Sequence, residues 1–163
     1  MVITRIRPLD VKLLFDDRPY SLGEKIDVMV ELSARGDVEV REARVDLMWE
    51  ERYVESYTVM ASDLANIKTQ ARAGGGVYIP PPLIPKRVNK DVRETYVHSS
   101  VVFLTDTWLR AGATDRYNAR VEIEPESPTH ASIATIRWSL VMVVDVARAR
   151  DIKKRQKVRV TLG

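Results

Sequence analysis

The stretch IDVMVEL at residues 26–32 alternates two sets of side chains along the chain. Ile26, Val28, Val30 and Leu32 occupy every second position, with Asp27, Met29 and Glu31 between them. Successive side chains of a strand point to opposite faces, so this spacing predicts a β-strand with one buried face.

The same two-residue period recurs along the chain. It predicts seven strands, at 11–15, 26–32, 43–57, 92–105, 117–123, 136–146 and 158–162, and residues 2–6 are a candidate for an eighth. Residues 18–24 (RPYSLGE) carry Pro and Gly and predict a turn. Trp49 and Trp138 fall on the apolar faces of their strands, so we expect both to be buried between sheets.

Many short strands with one long connection favour an all-β fold, specifically a two-sheet antiparallel β-sandwich of immunoglobulin-like type. The long connection is a crossover loop at 61–91, within a single domain covering 1–163. Ser62 is a candidate helix cap, and the spacing after it predicts one short helix over 62–71, which Gly74 would stop. Three glycines and four prolines at 74–91 predict an irregular segment.

Composition excludes several kinds of site. The 163 residues include no cysteine, which rules out disulfides, thiolate metal sites and cysteine nucleophiles. His98 and His130 are the only histidines, which rules out a three-histidine metal centre. We therefore expect no metal, no cofactor and no catalytic residues. No apolar run approaches the roughly 20 residues of a membrane span, and MVITRIRPLD lacks a signal segment, so we expect a cytoplasmic protein.

His98 and Ser100 are the one histidine–serine pair worth testing as a catalytic site. Two residues apart in a strand, they are expected to share a face with their Cβ atoms roughly 6–7 Å apart. A nucleophile of this kind needs a base within hydrogen-bond reach and a third group to orient that base. No such group follows from the sequence, so catalysis is not predicted there.

Positive charge is concentrated near the C-terminus. The whole chain has a net charge of +3, whereas residues 148–159 hold seven cations and one acid, or +6, which leaves −3 elsewhere. The candidate anion-binding residues are Arg148, Arg150, Lys153, Lys154, Arg155 and Lys157. We expect a hairpin connection at 147–157 that is either a solvated turn or a polyanion site. No aromatic residue is interleaved, so base stacking, and with it nucleic-acid binding, is the less favoured interpretation.

A second candidate contact is the proline motif at 81–87, PPLIPKR. Its members Pro82, Pro85 and Arg87 have the spacing of a polyproline segment with a flanking cation, which docks on aromatic grooves. A stiff loop without a partner is the alternative interpretation.

Three stretches resemble the arrestin-like sandwich family, which includes arrestins, the retromer cargo-sorting subunit and a bacterial sporulation-control protein. They are VKLLFDDRPYSLGEKIDVMVEL at 11–32, VREARVDLMWEERY at 40–53 and RVEIEPESPTHASIATIRWSLVMVVDV at 120–146. Tyr20 and Gly23 hold the family's turn positions, and Trp138 is the central aromatic of the long strand. The resemblance implies one sandwich domain with a non-enzymatic role in protein interaction or scaffolding.

The functional hypothesis is therefore a protein-binding module or adaptor whose partner is of unknown identity. Binding of nucleic acid or another polyanion through residues 148–159 is the alternative. A sugar-binding or hydrolase accessory domain is a third and more remote one.

Overall fold

The computed structural model describes residues 7–61 and 84–162. In chain order the strands are β1 (Leu9–Phe15), β2 (Pro19–Ser21), β3 (Lys25–Ala34), β4 (Val38–Ala61), β5 (Ile84–Leu109), β6 (Thr114–Glu122), β7 (Thr135–Val146) and β8 (Ile152–Thr161). The described residues contain no helix. The predicted strand at 2–6 and the predicted helix at 62–71 lie outside them.

The described residues fall into two compact units. The first comprises residues 7–52 and 93–162, and the second comprises residues 53–61 and 84–92. The first unit is a two-sheet sandwich whose buried residues form one hydrophobic cluster drawn from both sheets. This confirms the predicted fold class.

The smaller sheet has the strand order β1-β3-β6, and both pairings are antiparallel. Its central strand is the alternating stretch at 26–32, whose four even-numbered aliphatic residues are at most 2% exposed. The residues between them point to the other face, where Met29 is 37% exposed. One face of β3 therefore supplies the core, as the period of two requires.

The larger sheet has the order β2-β8-β7-β4-β5. Strand β7 lies between β4 and β8 and pairs antiparallel with each. Trp49↔Trp138 is one of its pairs with β4, and Val144↔Ile152 is one of its pairs with β8. Burial of Trp138 is confirmed at 3% exposure, and Trp49 is partly buried against the same core.

The segment 18–24 is not only a turn. Residues 19–21 form β2, which pairs parallel with the end of β8, so the sandwich is not antiparallel throughout. Tyr20 anchors this pairing: it is 2% exposed, and its hydroxyl donates a 2.7 Å hydrogen bond to the Asp16 carbonyl. Burial raises the pKa of the Tyr20 phenol.

A β-bulge in β4 explains why its buried residues change from even-numbered to odd-numbered positions. The register with β7 shifts between Val40 and Glu42. Val38 and Val40 before the shift, and Ala43, Val45 and Leu47 after it, are all buried. One extra residue in the bulged strand thus returns the apolar residues to the core.

Two predicted boundaries are wrong. Strand β5 begins at Ile84, so residues 84–91 belong to a strand and not to the crossover loop. Strand β8 begins at Ile152, so the connection after β7 ends there and does not extend to residue 157. In both places the strand carries mostly exposed polar and charged side chains. The alternation of apolar and polar residues that would predict a strand is therefore absent.

The second unit contains the end of β4 and the start of β5. Ser56 Oγ donates a 2.8 Å hydrogen bond to Asn89 Oδ1. Val54, Tyr57 and Val59 are exposed, so the end of the strand predicted at 43–57 does not contribute Tyr57 to the core.

Leu140→Ala tests the position of β7 at the centre of the core. Leu140 is 0% exposed and pairs with Leu47, so we expect a loss of about 2–5 kcal/mol in the free energy of unfolding, measured by urea denaturation. Leu14→Ala is the control, because Leu14 is 46% exposed and its change should stay within about 0.5 kcal/mol. Equal losses in the two variants would contradict this assignment of the core.

Candidate functional site

The turn at 147–151 between β7 and β8 projects two of the candidate cations. Ala149 N–H donates to the Val146 carbonyl, and Ala147 N–H donates to the Glu39 carbonyl, which fixes both sides of the turn. Arg148 has φ 60°, in the left-handed region that L-residues seldom adopt. Arg148 and Arg150 are both exposed.

The turn forms one wall of a basic cleft of about 540 Å³. Arg7 and Pro8 line it from the N-terminal side, together with Arg148, Ala149, Arg150, Asp151, Ile152 and Lys153. Its four cations face one acid, Asp151. None of these cations forms an ion pair with any residue in the described part of the chain.

The structure separates the remaining candidates on β8. Lys153, Arg155 and Lys157 lie opposite Val143, Val141 and Ser139 of β7, on the outer face of the sheet. Lys154 lies opposite Met142, at a position that points to the other face. Only Arg148, Arg150 and Lys153 of the six predicted residues therefore line the cleft.

The outer face beside Lys153 and Arg155 is apolar at its centre. Val141 and Val143 are each 5% exposed although they point away from the core cluster. We attribute this burial to the aliphatic stems of the neighbouring long side chains, which can cover apolar surface while their charges remain in water.

Acidic groups on the same face are already engaged on β4. Asp46 accepts hydrogen bonds from Arg44 Nε at 3.2 Å and from Ser100 Oγ at 2.5 Å. The hydrogen bond to Asp46 is the main cause of the raised pKa of Arg44. This acid is therefore matched by a cation of its own strand. On β8, Arg159 pairs with Asp17, whereas Lys153, Arg155 and Lys157 form no ion pair within the described residues.

A second cleft, of about 320 Å³, adjoins the basic cleft and shares Pro8, Arg148 and Ala149 with it. Its distinctive residue is Trp108, which is 65% exposed at the end of β5. Asp37 and Glu39 line it as well. No aromatic residue lies near Arg148 in the chain, but in the structure the exposed Trp108 ring lines the same cleft as Arg148.

Sequence reasoning could not have assigned Arg7 or Trp108 to this site. Each belongs to a segment far from 148–153 in the chain, and each joins it only through the pairing of strands. The one available signal for Trp108 is its neighbour Leu109, which is 2% exposed. Neighbouring side chains of a strand point to opposite faces, so an inward Leu109 implies an outward Trp108.

The proline motif is only partly within the described residues. Pro85 and Arg87 lie at the start of β5 and are exposed, whereas Pro82 lies outside the described ranges. The polyproline hypothesis stays untested.

An aromatic cluster forms on the inner side of the larger sheet. The Trp49 ring lies 5.2 Å from Trp138 and 5.0 Å from His98, and His98 lies 5.1 Å from Trp138, all between centroids. Ser100 donates a hydrogen bond to Asp46 on the outer face. The prediction that His98 and Ser100 share a face is therefore wrong. Ser99 Oγ donates to the Glu122 carbonyl, so neither serine is bonded to His98.

A buried carboxylate lies on the same face of β4. Glu51 is 1% exposed, and its Oε2 lies 2.9 Å from His130 Nδ1. Four buried atoms in the described part of the chain have no hydrogen-bond partner: Trp49 Nε1, Glu51 Oε1, His98 Nε2 and Trp138 Nε1. The preceding acid, Glu50, has a cationic partner. Arg93 donates a 2.9 Å hydrogen bond to Glu50, and this bond lowers the pKa of Glu50.

Within residues 7–61 and 84–162, no group of three or more His, Cys, Asp or Glu side chains is placed to hold a metal ion. No helix formed by those same residues is long and apolar enough to cross a bilayer.

The fold is similar to that of solved structures. One of them is the crystal structure of Spo0M, a sporulation control protein from Bacillus subtilis, and the match has a TM-score of 0.64. The fold is arrestin-like. The aligned region covers 95% of this chain and 50% of that chain at 13% sequence identity, so this chain spans about half the length of that protein. No protein-family model and no curated protein matches the chain.

The Glu51–His130 contact generates a stability prediction. His130→Ala removes the partner of Glu51 Oε2, and Oε1 already has no hydrogen-bond partner within the described residues. The variant therefore leaves a carboxylate that is 1% exposed and has lost this hydrogen bond. We expect a loss of about 1–3 kcal/mol in the free energy of unfolding, because a buried polar group without a partner retains its desolvation cost.

The control is the double variant Glu51→Met with His130→Ala, which removes the buried carboxylate as well. It should recover part of the lost stability in the same urea titration. A double variant that is no more stable than His130→Ala alone would show that the carboxylate is not the source of the loss.

Proposed function

We propose that this protein is a non-enzymatic interaction module that binds an acidic segment of a partner protein at the basic cleft. The observation that carries the proposal is the set of four cations lining one cleft, Arg7, Arg148, Arg150 and Lys153, with Asp151 as the one acid among the lining residues. None of the four forms an ion pair within the described residues.

The chemistry of the cleft suits carboxylates. Three of the four cations are arginines, whose planar guanidinium groups bind carboxylates through two parallel hydrogen bonds. All four cations are exposed, so a ligand does not have to displace an internal ion pair. Attraction between exposed charges falls with ionic strength, which predicts salt-sensitive binding.

The fold comparison supports a role of this kind. The similar solved structure is named a sporulation control protein, and a control role is compatible with binding of a partner protein. A role as an adaptor or scaffold is our inference for this chain. A cytoplasmic location remains a prediction from the sequence.

The triple variant Arg148→Ala, Arg150→Ala, Lys153→Ala tests the cleft. Fluorescence anisotropy with a labelled dodecapeptide of Asp and Glu should show at least a tenfold weaker Kd, because three of the four cations are lost. Binding by the unaltered protein should weaken steadily between 50 and 300 mM salt.

The matched control is Lys12→Ala, Lys86→Ala, Lys90→Ala. These lysines are exposed, have no ion pair among the described residues and lie outside the cleft, and their loss lowers the formal net charge from +3 to 0, just as the test variant does. Equal weakening in both triple variants would show a general charge effect and would contradict a site at the cleft.

Single-stranded nucleic acid is the second candidate ligand, and Trp108 is the observation that favours it. An exposed ring beside a cluster of cations is the arrangement that binds single strands, through stacking of bases and attraction of phosphates. Asp37 and Glu39 in the same cleft oppose a phosphate backbone, so we rank this candidate second.

Trp108→Ala separates the two ligands. If nucleic acid is the ligand, the variant should bind an oligo(dT) 12-mer several-fold more weakly, and Trp108→Phe should retain most of the affinity. With four phosphates neutralised, the log–log salt slope should be near −3, from about −0.7 per contact. If the acidic peptide is the ligand, oligo(dT) binding should be negligible at 150 mM salt and Trp108→Ala should leave the peptide Kd unchanged.

A further inference from the structure

Trp108 presents its ring to solvent near the end of β5, where it is 65% exposed. The next residue, Leu109, is 2% exposed and belongs to the core cluster, so the backbone that carries Trp108 is held in place. The other two tryptophans differ, because Trp138 is buried and Trp49 is partly buried. An exposed tryptophan on a fixed backbone is typical of residues that anchor a partner.

Two carboxylates line the same cleft as this ring, the cleft of about 320 Å³ that we call the Trp108 cleft. Asp37 Oδ1 accepts a 3.0 Å hydrogen bond from Ala111 N–H, and the Glu39 carbonyl accepts a 3.0 Å hydrogen bond from Ala147 N–H. These contacts hold both residues in place, yet neither carboxylate forms an ion pair within the part of the chain that the structure describes. Their negative charges are therefore positioned and left available to a ligand.

The walls of the Trp108 cleft match the parts of a cationic side chain. A tryptophan ring attracts a cation to its face more strongly than the other aromatic rings do. A carboxylate binds an ammonium group, or a guanidinium group through two parallel hydrogen bonds. Pro8, Val38 and Val146 supply apolar surface, against which the aliphatic stem of an arginine or lysine side chain can pack.

The Trp108 cleft is continuous with the basic cleft, because both are lined by Pro8, Arg148 and Ala149. In the basic cleft four cations accompany one acid, whereas in the Trp108 cleft two acids accompany one cation, the shared Arg148. The sign of the charge therefore reverses across the shared wall. A segment that crosses this wall meets cations on one side, and carboxylates with an indole ring on the other.

We propose that the Trp108 cleft binds an arginine or lysine side chain that directly adjoins the acidic segment of the partner protein. The inference rests on the function proposed above and adds a charge order to it: acidic residues lie in the basic cleft, and the neighbouring cation lies on Trp108. Charge complementarity selects this occupant. A purely apolar side chain would remove water from Asp37 and Glu39 without giving them a partner, which costs free energy.

The test compares peptides that differ only in an added end. The acidic dodecapeptide used above is extended by three arginines at its N-terminal or its C-terminal end, and each matched peptide carries three norleucines instead. We expect one arginine peptide to bind about fivefold more tightly than its norleucine match, the size of one cation–π contact with an exposed ion pair. General electrostatics predicts the opposite order, because a protein of net charge +3 repels the added cations.

Two sets of changes locate the gain in the Trp108 cleft. Trp108→Ala, and separately Asp37→Asn with Glu39→Gln, should each remove most of the advantage of the arginine peptide over its norleucine match. Asp37→Asn keeps an oxygen that can accept the hydrogen bond from Ala111 N–H. The unextended dodecapeptide should bind Trp108→Ala as tightly as it binds the unaltered protein.

The matched control for the two acids is Glu124→Gln with Glu126→Gln. These residues are exposed, form no ion pair among the described residues and lie outside both clefts, and their change removes the same charge. The control should keep the full advantage of the arginine peptide. Equal loss in the control and in the Asp37 and Glu39 variant would show a general charge effect and would overturn the assignment.

A spectroscopic measurement reports on the ring itself. The three tryptophans of the chain give three indole N–H signals in the spectrum of isotope-labelled protein, and Trp108→Phe identifies the signal of Trp108. The tighter arginine peptide should shift this signal, and the unextended dodecapeptide should leave it in place. A Trp108 signal that does not move at saturation with the arginine peptide would refute the contact.

The two proposals fail in different ways. If the unextended dodecapeptide does not bind, the basic cleft is not a site for acidic segments, and both proposals are wrong. If it binds but the arginines bring no gain over norleucine at either end, the acidic-segment proposal stands and the cation site at Trp108 is refuted. Tighter binding of the norleucine peptides would assign the cleft to apolar side chains and would refute the cation site as well.

Discussion

The pairing of β7 with β4 on one side and β8 on the other is the constraint on which the rest of the structure depends. Residues 140–144 of β7 are buried without interruption, so the strand is covered on both faces. Buried backbone groups must be hydrogen-bonded, and a strand in the middle of a sheet satisfies its own through two partners. The positions of Trp138, of the cation-bearing β8 and of the bulged β4 all follow from that central strand.

Strands with one buried face could be predicted from the sequence, and strands with exposed faces could not. The period of two at 26–32 marks β3 because one set of its side chains is in the core. The start of β8 is hidden, since Lys153, Lys154 and Arg155 are all exposed and interrupt the alternation. β2 was missed for a different reason: three residues are too few to show a period, and Tyr20 becomes a core residue only through its pairing with Val160.

The candidate site divides in the same way. Local charge density identified Arg148, Arg150 and Lys153, because they lie within six residues of one another. Arg7 lies just before β1 and Trp108 near the end of β5, and neither lies near a cluster of cations in the chain. Lys154 shares the charge run, but its register position opposite Met142 points to the other face of the sheet. Arg155 and Lys157 share the outer face with Lys153 but do not line the cleft, so both the face of the strand and the distance from the turn decide which cations converge.

The buried polar groups and the exposed cations of the cleft affect the stability of the sandwich differently. The Glu51 carboxylate and the two indole N–H groups are buried without full pairing, so they cost free energy that the surrounding core must offset. The cleft cations are exposed, and exposed charges change stability by only about 0.5 kcal/mol. Like charges in one cleft also repel one another, which slightly disfavours the folded state. Folding therefore gives no reason to gather four cations around one acid, whereas an acidic ligand would give one.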